Sequence, residues 1–317
     1  MALPVYASPL ERAWHYTYLV LCGLIFLFLI APILIVMPLS FNAEPYFTFT
    51  PKMLALNPEG YSLRWYDSLL TFGMQAPEGP RNVAWWSDFW NNARWMQVAK
   101  HSVIIGFFAT LVATMLGTLA ALGLSRPEMP FRRGIMAVLI SPMIVPIIIT
   151  ATGLFFFYSK PCALLATVGL PGECGKLAGT YLGIILAHAT LGIPFVIITV
   201  TATLVGFDQS LIRASASLGA NPRTTFFRVV MPLILPGVIS GALFAFVTSF
   251  DEVVVVLFVA DFDQQTIPRQ MWSGIREQIS PAILAVATIL VIISIALLAT
   301  VELLRRRSER LRGVTPR

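Results

Sequence analysis

The sequence is poor in charge, since Asp, Glu, Lys and Arg make up only 12% of its 317 residues. Soluble globular domains carry about 25% charged residues, so this chain has too few to cover a water-facing surface. Apolar residues make up 57% of the chain. They come in long runs, and roughly 20 helical residues are enough to cross a hydrocarbon core about 30 Å thick. The composition therefore excludes a soluble globular protein and predicts that lipid surrounds most of the chain.

Cysteine and histidine are also scarce, with three of each and no metal-ligand spacing, so we predict no metal site. The sequence lacks the H-E-x-x-H and G-x-S-x-G motifs, which argues against a membrane enzyme and leaves no candidate catalytic residue. The string from Gly169 to Lys176 resembles a phosphate-binding loop, but its glycines are one residue too far apart. Leu177 also stands where Ser or Thr should bind magnesium. We therefore expect no ATP hydrolysis and no cofactor in this chain.

Long apolar segments predict membrane-spanning helices, because backbone polar groups in lipid must be satisfied within the segment. Six such segments cover residues 16–40, 101–124, 134–158, 180–205, 236–260 and 280–304. Pro146 and Pro194 fall inside two of them and predict kinks. The first segment is longer than the apolar core of a signal peptide and lacks a convincing cleavage site, so we expect a retained helix. No inverted pair of halves is visible, which weakens the case for a self-contained carrier.

The net charge of +6 does not indicate nucleic-acid binding, because the basic residues cluster beside the apolar segments, where they set topology. Loops 125–133 and 206–229 and the tail after residue 304 are rich in arginine. Loops 159–179 and 261–279 hold only two basic residues each. Because positively charged loops stay in the cytoplasm, this pattern with an even number of crossings predicts that both termini are cytoplasmic.

We expect four regions along the chain. They are an N-terminal tail with the first helix (1–40), a long periplasmic loop (41–100), a five-helix core that includes the cytoplasmic loop 206–230 (101–304), and a basic cytoplasmic tail (305–317). The periplasmic loop is rich in tryptophan, with Trp65, Trp85, Trp86, Trp90 and Trp95. Tryptophan prefers the membrane–water boundary, so this loop forms either an interfacial belt or a docking surface for a soluble partner.

Two of the cysteines, Cys162 and Cys174, fall in one outer loop. The compartment outside the inner membrane is oxidising, which favours a disulfide that closes this loop. The alternative is two free thiols. Cys22 lies in the first helix, where we expect it to be a packed residue.

The loop before the fifth segment has the pattern of a folded unit rather than a tether. Asp208 predicts the N-cap of a short helix that ends at Ser217, and Gly219 suits the left-handed position that follows. The stretch from Phe207 to Val238 resembles the EAA motif of the permeases of ATP-binding-cassette (ABC) importers. The matching positions are Ala214, Leu218, Gly219, Ala220, Phe226, Val229 or Val230, Pro232, Pro236 and Gly237. The departures are Arg213, Ser215 and Met231, where the motif has Glu, Ala and Leu.

The resemblance implies an all-α integral membrane protein of the bacterial inner membrane, with the six-helix type I ABC-importer permease fold and both termini inside. It implies a second permease subunit, and we expect a heterodimer rather than a homodimer. It also implies two copies of a cytoplasmic ATPase that hold ATP and Mg²⁺, and a periplasmic substrate-binding protein. The ATPase-coupling residues would be Arg213, Ala214, Ser215, Leu218, Gly219 and Ala220.

Two acids, Asp251 and Glu252, stand inside the fifth segment. An acid within the membrane is costly and usually faces a cavity and binds something. At helical spacing Asp251 shares a face with Gly237, Gly241, Phe244 and Thr248. That face offers close approach, an aromatic ring and a countercharge, which suit an organic polycation.

The string from Ser249 to Asp261 resembles the corresponding helix of spermidine/putrescine permeases. The resemblance implies a polyamine as the substrate, with Asp251, Glu252, Phe244, Thr248 and Phe250 along its pathway. Other readings stay open: the two acids pair with a neighbouring helix or lie near the outer boundary, and the substrate is ferric iron, an opine or another organic cation. An autonomous carrier is the remaining functional class.

Overall fold

The computed structural model describes residues 8–126, 128–160, 175–208, 210–277 and 280–311. Over these residues the chain is helical, apart from one isolated bridge between Asn42 and Tyr61. This confirms the predicted all-α class. Two compact units are present: residues up to Trp85 together with those from Gly274 form one, and Trp86–Ser273 forms the other. Cys162 and Cys174 lie outside the described residues, so their disulfide stays a prediction.

The first unit is built around the two ends of the chain. Its helices are α1 (Pro9–Leu39), α2 (Pro51–Leu54), α3 (Arg64–Thr71), the start of α4 (Val83–Asn92), and α14 (Ala282–Leu311). A capping box begins α1, since the Ser8 hydroxyl accepts a hydrogen bond from the Glu11 N–H and the Glu11 carboxylate accepts one from the Ser8 N–H. Both α1 and α3 pack on α14. Leu39 is the one buried residue of α1 within the described chain. The apolar surface of α1 is therefore available to lipid.

The segment that follows α1 is folded around the buried side chain of Asn42. Its amide donates to the carbonyls of Tyr46 (3.0 Å) and Thr48 (3.1 Å), and the Trp65 indole donates to the Asn42 carbonyl at 2.7 Å. Further along, Trp85 is buried and donates from Nε1 to the Pro77 carbonyl at 3.2 Å. Trp85 is thus a packing residue of this region.

The second unit contains the long helices that pack most closely. Its elements are the end of α4, α5 (Arg94–Leu124), α6 (Arg132–Ile144), α7 (Ile147–Ser159), α8 (Tyr181–Val205), α9 (Ser210–Ser217), α10 (Pro222–Thr225), α11 (Met231–Phe250), α12 (Val254–Val259) and the start of α13 (Ile267–Glu277). Trp86 and Trp90, on the second half of α4, are each 56% exposed. Exposed indole rings are compatible with both predicted roles of this loop, an interfacial belt and a docking surface.

Glycine allows α5, α8 and α11 to pack closely as a three-helix bundle. A methyl group added at Gly241 would lie 2.5 Å from Thr199 Oγ1 and 2.8 Å from Val196 Cα. One added at Gly117 would lie 2.7 Å from Val196 Cβ. Helices surrounded by lipid associate through close van der Waals contact, and small residues permit it. The bundle therefore depends on the absence of side chains at these positions.

Four helices among the described residues are long and apolar enough to cross a membrane: α1, α5, α8 and the continuous helix Pro222–Phe250. The pair α6 and α7 makes a fifth candidate, although it is bent by 103° where Pro146 precedes α7. This bend confirms the kink predicted at Pro146, whereas α8 runs unbroken past Pro194. Within α14, the apolar stretch found among the described residues is Ala282–Ala296, which is shorter than these spans. Six crossings and cytoplasmic termini stay predictions.

The fifth apolar segment differs from the single helix predicted over residues 236–260. The helix begins earlier, at Pro222, passes through a π-helical turn at Phe226–Val230, and ends at Phe250. Residues 251–253 leave the helix, and α12 follows them. The segment contains neither proline nor glycine at this point, so its pattern gave no sign of the interruption. We call residues 251–253 the helix break.

Candidate functional site

The 206–230 loop is held in shape by its own hydrogen bonds. The Asp208 carboxylate accepts hydrogen bonds from the Ser210 hydroxyl (2.7 Å) and the Ser210 N–H (2.8 Å), just before α9. These bonds lower the pKa of Asp208, because they favour its charged form. After α9, Gly219 has a φ of +80° and reverses the chain. The Asn221 side chain then accepts from the Thr224 N–H at 2.8 Å and caps α10.

The predicted ATPase-coupling residues divide into two groups. Four of them, Arg213, Ala214, Leu218 and Gly219, are exposed, and Ala220 is half-buried. The apolar side chain of Leu218 is 87% exposed. Ser215 is instead buried, and its hydroxyl shares a hydrogen bond of 2.9 Å with that of Thr225. Ser215 therefore ties α9 to α10, and the other positions form the free surface.

The helix break places the two predicted pathway acids in different surroundings. Asp251 ends α11 and is exposed, with its N–H bonded to the Val247 carbonyl at 3.0 Å. Glu252 is 7% exposed, and its Oε1 accepts a hydrogen bond from the Val255 N–H at 2.9 Å. The adjacent carboxylates therefore do not act as a pair.

The face predicted along α11 is also divided by packing. Gly237 and Gly241 lie against α8, where a methyl group at Gly237 would clash with Thr203 Oγ1. Phe244 is exposed by 54% and stacks on Phe195, with ring centroids 6.1 Å apart. The glycines therefore serve helix packing, and only the later part of the face remains open.

The other two predicted pathway residues, Thr248 and Phe250, are half-buried. Phe250 stacks on Phe246 of the same helix, with centroids 5.6 Å apart. Both rings lie near Gly106 of α5. Phe250 is thus part of the packing between α5 and α11 at the level of the helix break.

Sequence reasoning missed a buried polar pair between α8 and α11. His188 Nδ1 lies 2.8 Å from Ser249 Oγ, and both side chains are buried. His188 Nε2 has no hydrogen-bond partner among the described residues. The signal was present in the sequence, because an ionisable side chain inside a spanning segment indicates a functional or structural requirement.

Two arginines, one at the start of α5 and one near the start of α13, were also missed. Arg94 Nε donates to Gln270 Oε1 at 3.2 Å, and Arg94 Nη2 donates to Gln265 Oε1. The Arg94 guanidinium also lies 4.7 Å from the centre of the Phe262 ring, a cation–π distance. Arg269 donates to the carbonyls of residues that end α12. Basic residues in a loop look solvated from sequence, and their partners are set only by the fold.

Comparison with known proteins gives three kinds of match. The family model "Binding-protein-dependent transport system inner membrane component" matches residues 113–311. The spermidine/putrescine transport system permease protein PotC of Haemophilus influenzae is 30% identical over 285 residues, which cover 90% of this chain and 95% of that protein. The putrescine transport system permease protein PotI of Escherichia coli is 30% identical over 289 residues, which cover 91% of this chain and 88% of that protein.

A solved structure is similar as well. It is a bacterial ABC transporter involved in the import of the acidic polysaccharide alginate, and one of its chains matches with a TM-score of 0.64. The match covers 94% of this chain and 99% of that chain, at 15% identity. At that identity the likeness concerns the fold alone, and it confirms the importer-permease fold that the EAA resemblance implied. Over the described residues the helices, the family and the relatives agree on a multi-pass inner-membrane transport subunit. The chain belongs to the family of binding-protein-dependent transport system inner membrane components.

Proposed function

We propose that this chain is one permease subunit of an ATP-driven importer that carries a polyamine, such as spermidine or putrescine, into the cell. The observation that carries the proposal is the 30% identity to the Haemophilus influenzae spermidine/putrescine permease protein, which extends over 90% of this chain. A fold match alone would not give the substrate, because importers with this fold carry unrelated cargo.

The partners follow from the same proposal. The chain pairs with a different permease subunit, receives the polyamine from a periplasmic binding protein, and contacts one of two cytoplasmic ATPase copies. ATP and Mg²⁺ are held by the ATPase, and both termini of this chain lie in the cytoplasm. The exposed surface of α9 supports the ATPase contact, since Arg213, Ala214 and Leu218 project from a helix that Ser215 anchors.

The open part of α11 supports a cationic substrate. Phe244 presents an exposed ring, Thr248 is half-buried, and Asp251 is exposed where the helix ends. A ring face attracts an ammonium group, and a carboxylate adds countercharge. These groups give a protonated polyamine two kinds of contact along one side of the helix.

The test is uptake of labelled spermidine and putrescine into proteoliposomes that contain this chain with its second permease, its ATPase and its binding protein. We expect uptake to require ATP on the side of the vesicle membrane that carries the ATPase. We also expect unlabelled polyamine to compete with the labelled substrate. The neutral control is labelled maltose under the same conditions. Polyamine uptake equal to that of maltose in an assembled, ATP-hydrolysing complex would rule out the polyamine proposal. Polyamine uptake without ATP would instead point to an autonomous carrier.

A further inference from the structure

The short helix α12 is buried on one face, whereas Leu257 and Phe258 are on its exposed side. Val255, Val256 and Val259 are almost completely buried, in a cluster with Ile184 of α8 and Ala151 of α7. The first N–H groups and last carbonyls of any helix have no partner within it. In an apolar environment these groups must be satisfied by the protein, because no water reaches them. The two ends of α12 therefore need specific partners.

Glu252 satisfies the first end of α12. Its Oε1 accepts from the Val255 N–H at 2.9 Å. The ion pairs found among the described residues are Lys52–Glu59 and Arg81–Asp67, so a backbone N–H rather than a cation contacts Glu252. A negative charge at a helix N-terminus is further favoured by the helix dipole.

Arg269 satisfies the other end. Its Nη1 donates to the carbonyls of Val256 (3.3 Å), Ala260 (3.2 Å) and Asp261 (3.1 Å). The Gly179 N–H donates to the Val259 carbonyl at 2.8 Å. Burial lowers the pKa of the Arg269 guanidinium, and the three carbonyls replace the water that it loses. The helix thus has an acid at its N-terminus and a cation at its C-terminus.

We propose that Glu252 and Arg269 are positioning residues that hold α12 from its two ends, and that Asp251 is the only one of the two adjacent acids that meets an ammonium group of the substrate. This inference rests on the proposed polyamine function. The sequence gives the two acids the same role, but their contacts differ. Glu252 is buried and its Oε1 accepts a backbone N–H, whereas Asp251 is exposed at the end of α11.

The capping role is tested without substrate, by hydrogen exchange of residues 254–261 in the assembled complex. Glu252→Ala removes the acceptor, while Glu252→Gln keeps an oxygen that accepts the Val255 N–H and removes only the charge. We expect exchange to rise about tenfold in the alanine variant, the change that loss of one buried hydrogen bond produces, and to stay near the wild-type rate in the glutamine variant. Arg269→Ala is expected to raise exchange of the same residues. Unchanged exchange in both alanine variants would overturn the capping role.

The division between the acids is tested by uptake at saturating loaded binding protein. We expect Asp251→Asn to lower the rate of spermidine uptake about tenfold, as for a lost charged hydrogen bond, with ATPase assembly unchanged. Glu252→Gln is expected to restore most of the uptake that Glu252→Ala loses. Equal losses in Asp251→Asn and Glu252→Gln, with normal exchange of α12, would overturn the inference and make Glu252 a substrate ligand. If the wild-type complex takes up no polyamine, the proposed substrate fails, while the exchange experiment still decides the role of Glu252 and Arg269.

Discussion

His188 and Ser249 form a hydrogen bond of 2.8 Å, from Nδ1 to Oγ, in the buried interface between α8 and α11. Since His188 Nε2 has no partner among the described residues, the bond to Ser249 is the polar contact that remains for the imidazole there. Ser249 lies two residues before Asp251. Its bond to His188 therefore connects the end of α11 to α8.

The first prediction concerns this bond. Ser249→Ala should destabilise the chain by about 1–2 kcal/mol, because the buried imidazole then loses its hydrogen bond. The measurement is the midpoint of thermal unfolding of the detergent-solubilised complex. Ser240→Ala is the matched control, since Ser240 is on the same helix but exposed. Equal midpoints for the two variants would show that the His188–Ser249 bond contributes nothing to stability.

The second prediction concerns the close approach of α8 and α11. A methyl group at Gly241 would lie 2.5 Å from Thr199 Oγ1 and 2.8 Å from the Val196 backbone, so a shift of the helices is required. We expect Gly241→Ala to destabilise the chain by about 1–3 kcal/mol, the usual cost of overpacking.

The control for this substitution is Gly153→Ala in α7, where nothing lies within 4 Å of the added atom. Thermal unfolding should separate the two variants, with Gly153→Ala close to the wild type. A stable Gly241→Ala variant would mean that the two helices are less tightly packed than their glycines indicate.

The third prediction concerns the proposed ATPase contact. A side chain at Gly219 meets nothing within 4 Å, so the carboxylate of Gly219→Asp would project from the surface next to Leu218. Because the φ of +80° strains any side chain there, Gly219→Asn, which has the same strain without the charge, is compared with it. We expect this variant to insert into the membrane normally and to lose co-purification with the ATPase. Gly134→Asp is the control, because Gly134 is also exposed with open space around it but lies outside the 206–230 loop. Normal ATPase recovery with Gly219→Asp would count against the docking role of this loop.

The fourth prediction follows from the lowered pKa of Asp208. A carboxylate whose folded pKa is depressed stabilises the fold above its unfolded pKa, and that contribution is lost as the pH falls through the folded pKa. The ordinary value for this group is 3.8. Hydrogen exchange of α9, corrected for the chemistry of exchange, should therefore be constant from neutral pH down to about pH 4 and rise below it.

Asp208→Asn is the control for the pH dependence. An asparagine oxygen still accepts hydrogen bonds but does not titrate, so α9 in this variant should lack the acid-dependent rise. The same rise in both proteins would assign the effect to another group.

The sequence predicted the parts of the fold that depend on local chemistry. Pro146 removes a backbone donor, and the chain does bend there. Gly219 has the positive φ that its place after α9 required. These features follow from single residues and their neighbours in the chain, which explains why they were visible without a structure.

The features that failed to show in the sequence depend on contacts between distant segments. The helix break lies just before an apolar, β-branched stretch that was predicted as continuous helix, and the short helix after it is contacted at its far end by Arg269 of α13. Ser215 looked like a surface position of a docking motif, but Thr225 buries it. In both cases the role of a polar residue depends on a partner from another part of the chain, which the residues next to it in sequence do not indicate.

The continuity of the helix from Pro222 to Phe250 has a mechanical consequence. Its 29 residues form one rod that is about 43 Å long. The rod starts in the 206–230 loop and ends at Asp251, and Gly237 and Gly241 keep it pressed against α8. Its hydrogen-bond ladder is interrupted at the π-helical turn and at Pro236, which are the points where the rod can bend. We therefore expect an axial displacement at Pro222 to reach Asp251 through this one helix, with any loss of stroke taken up at these two points.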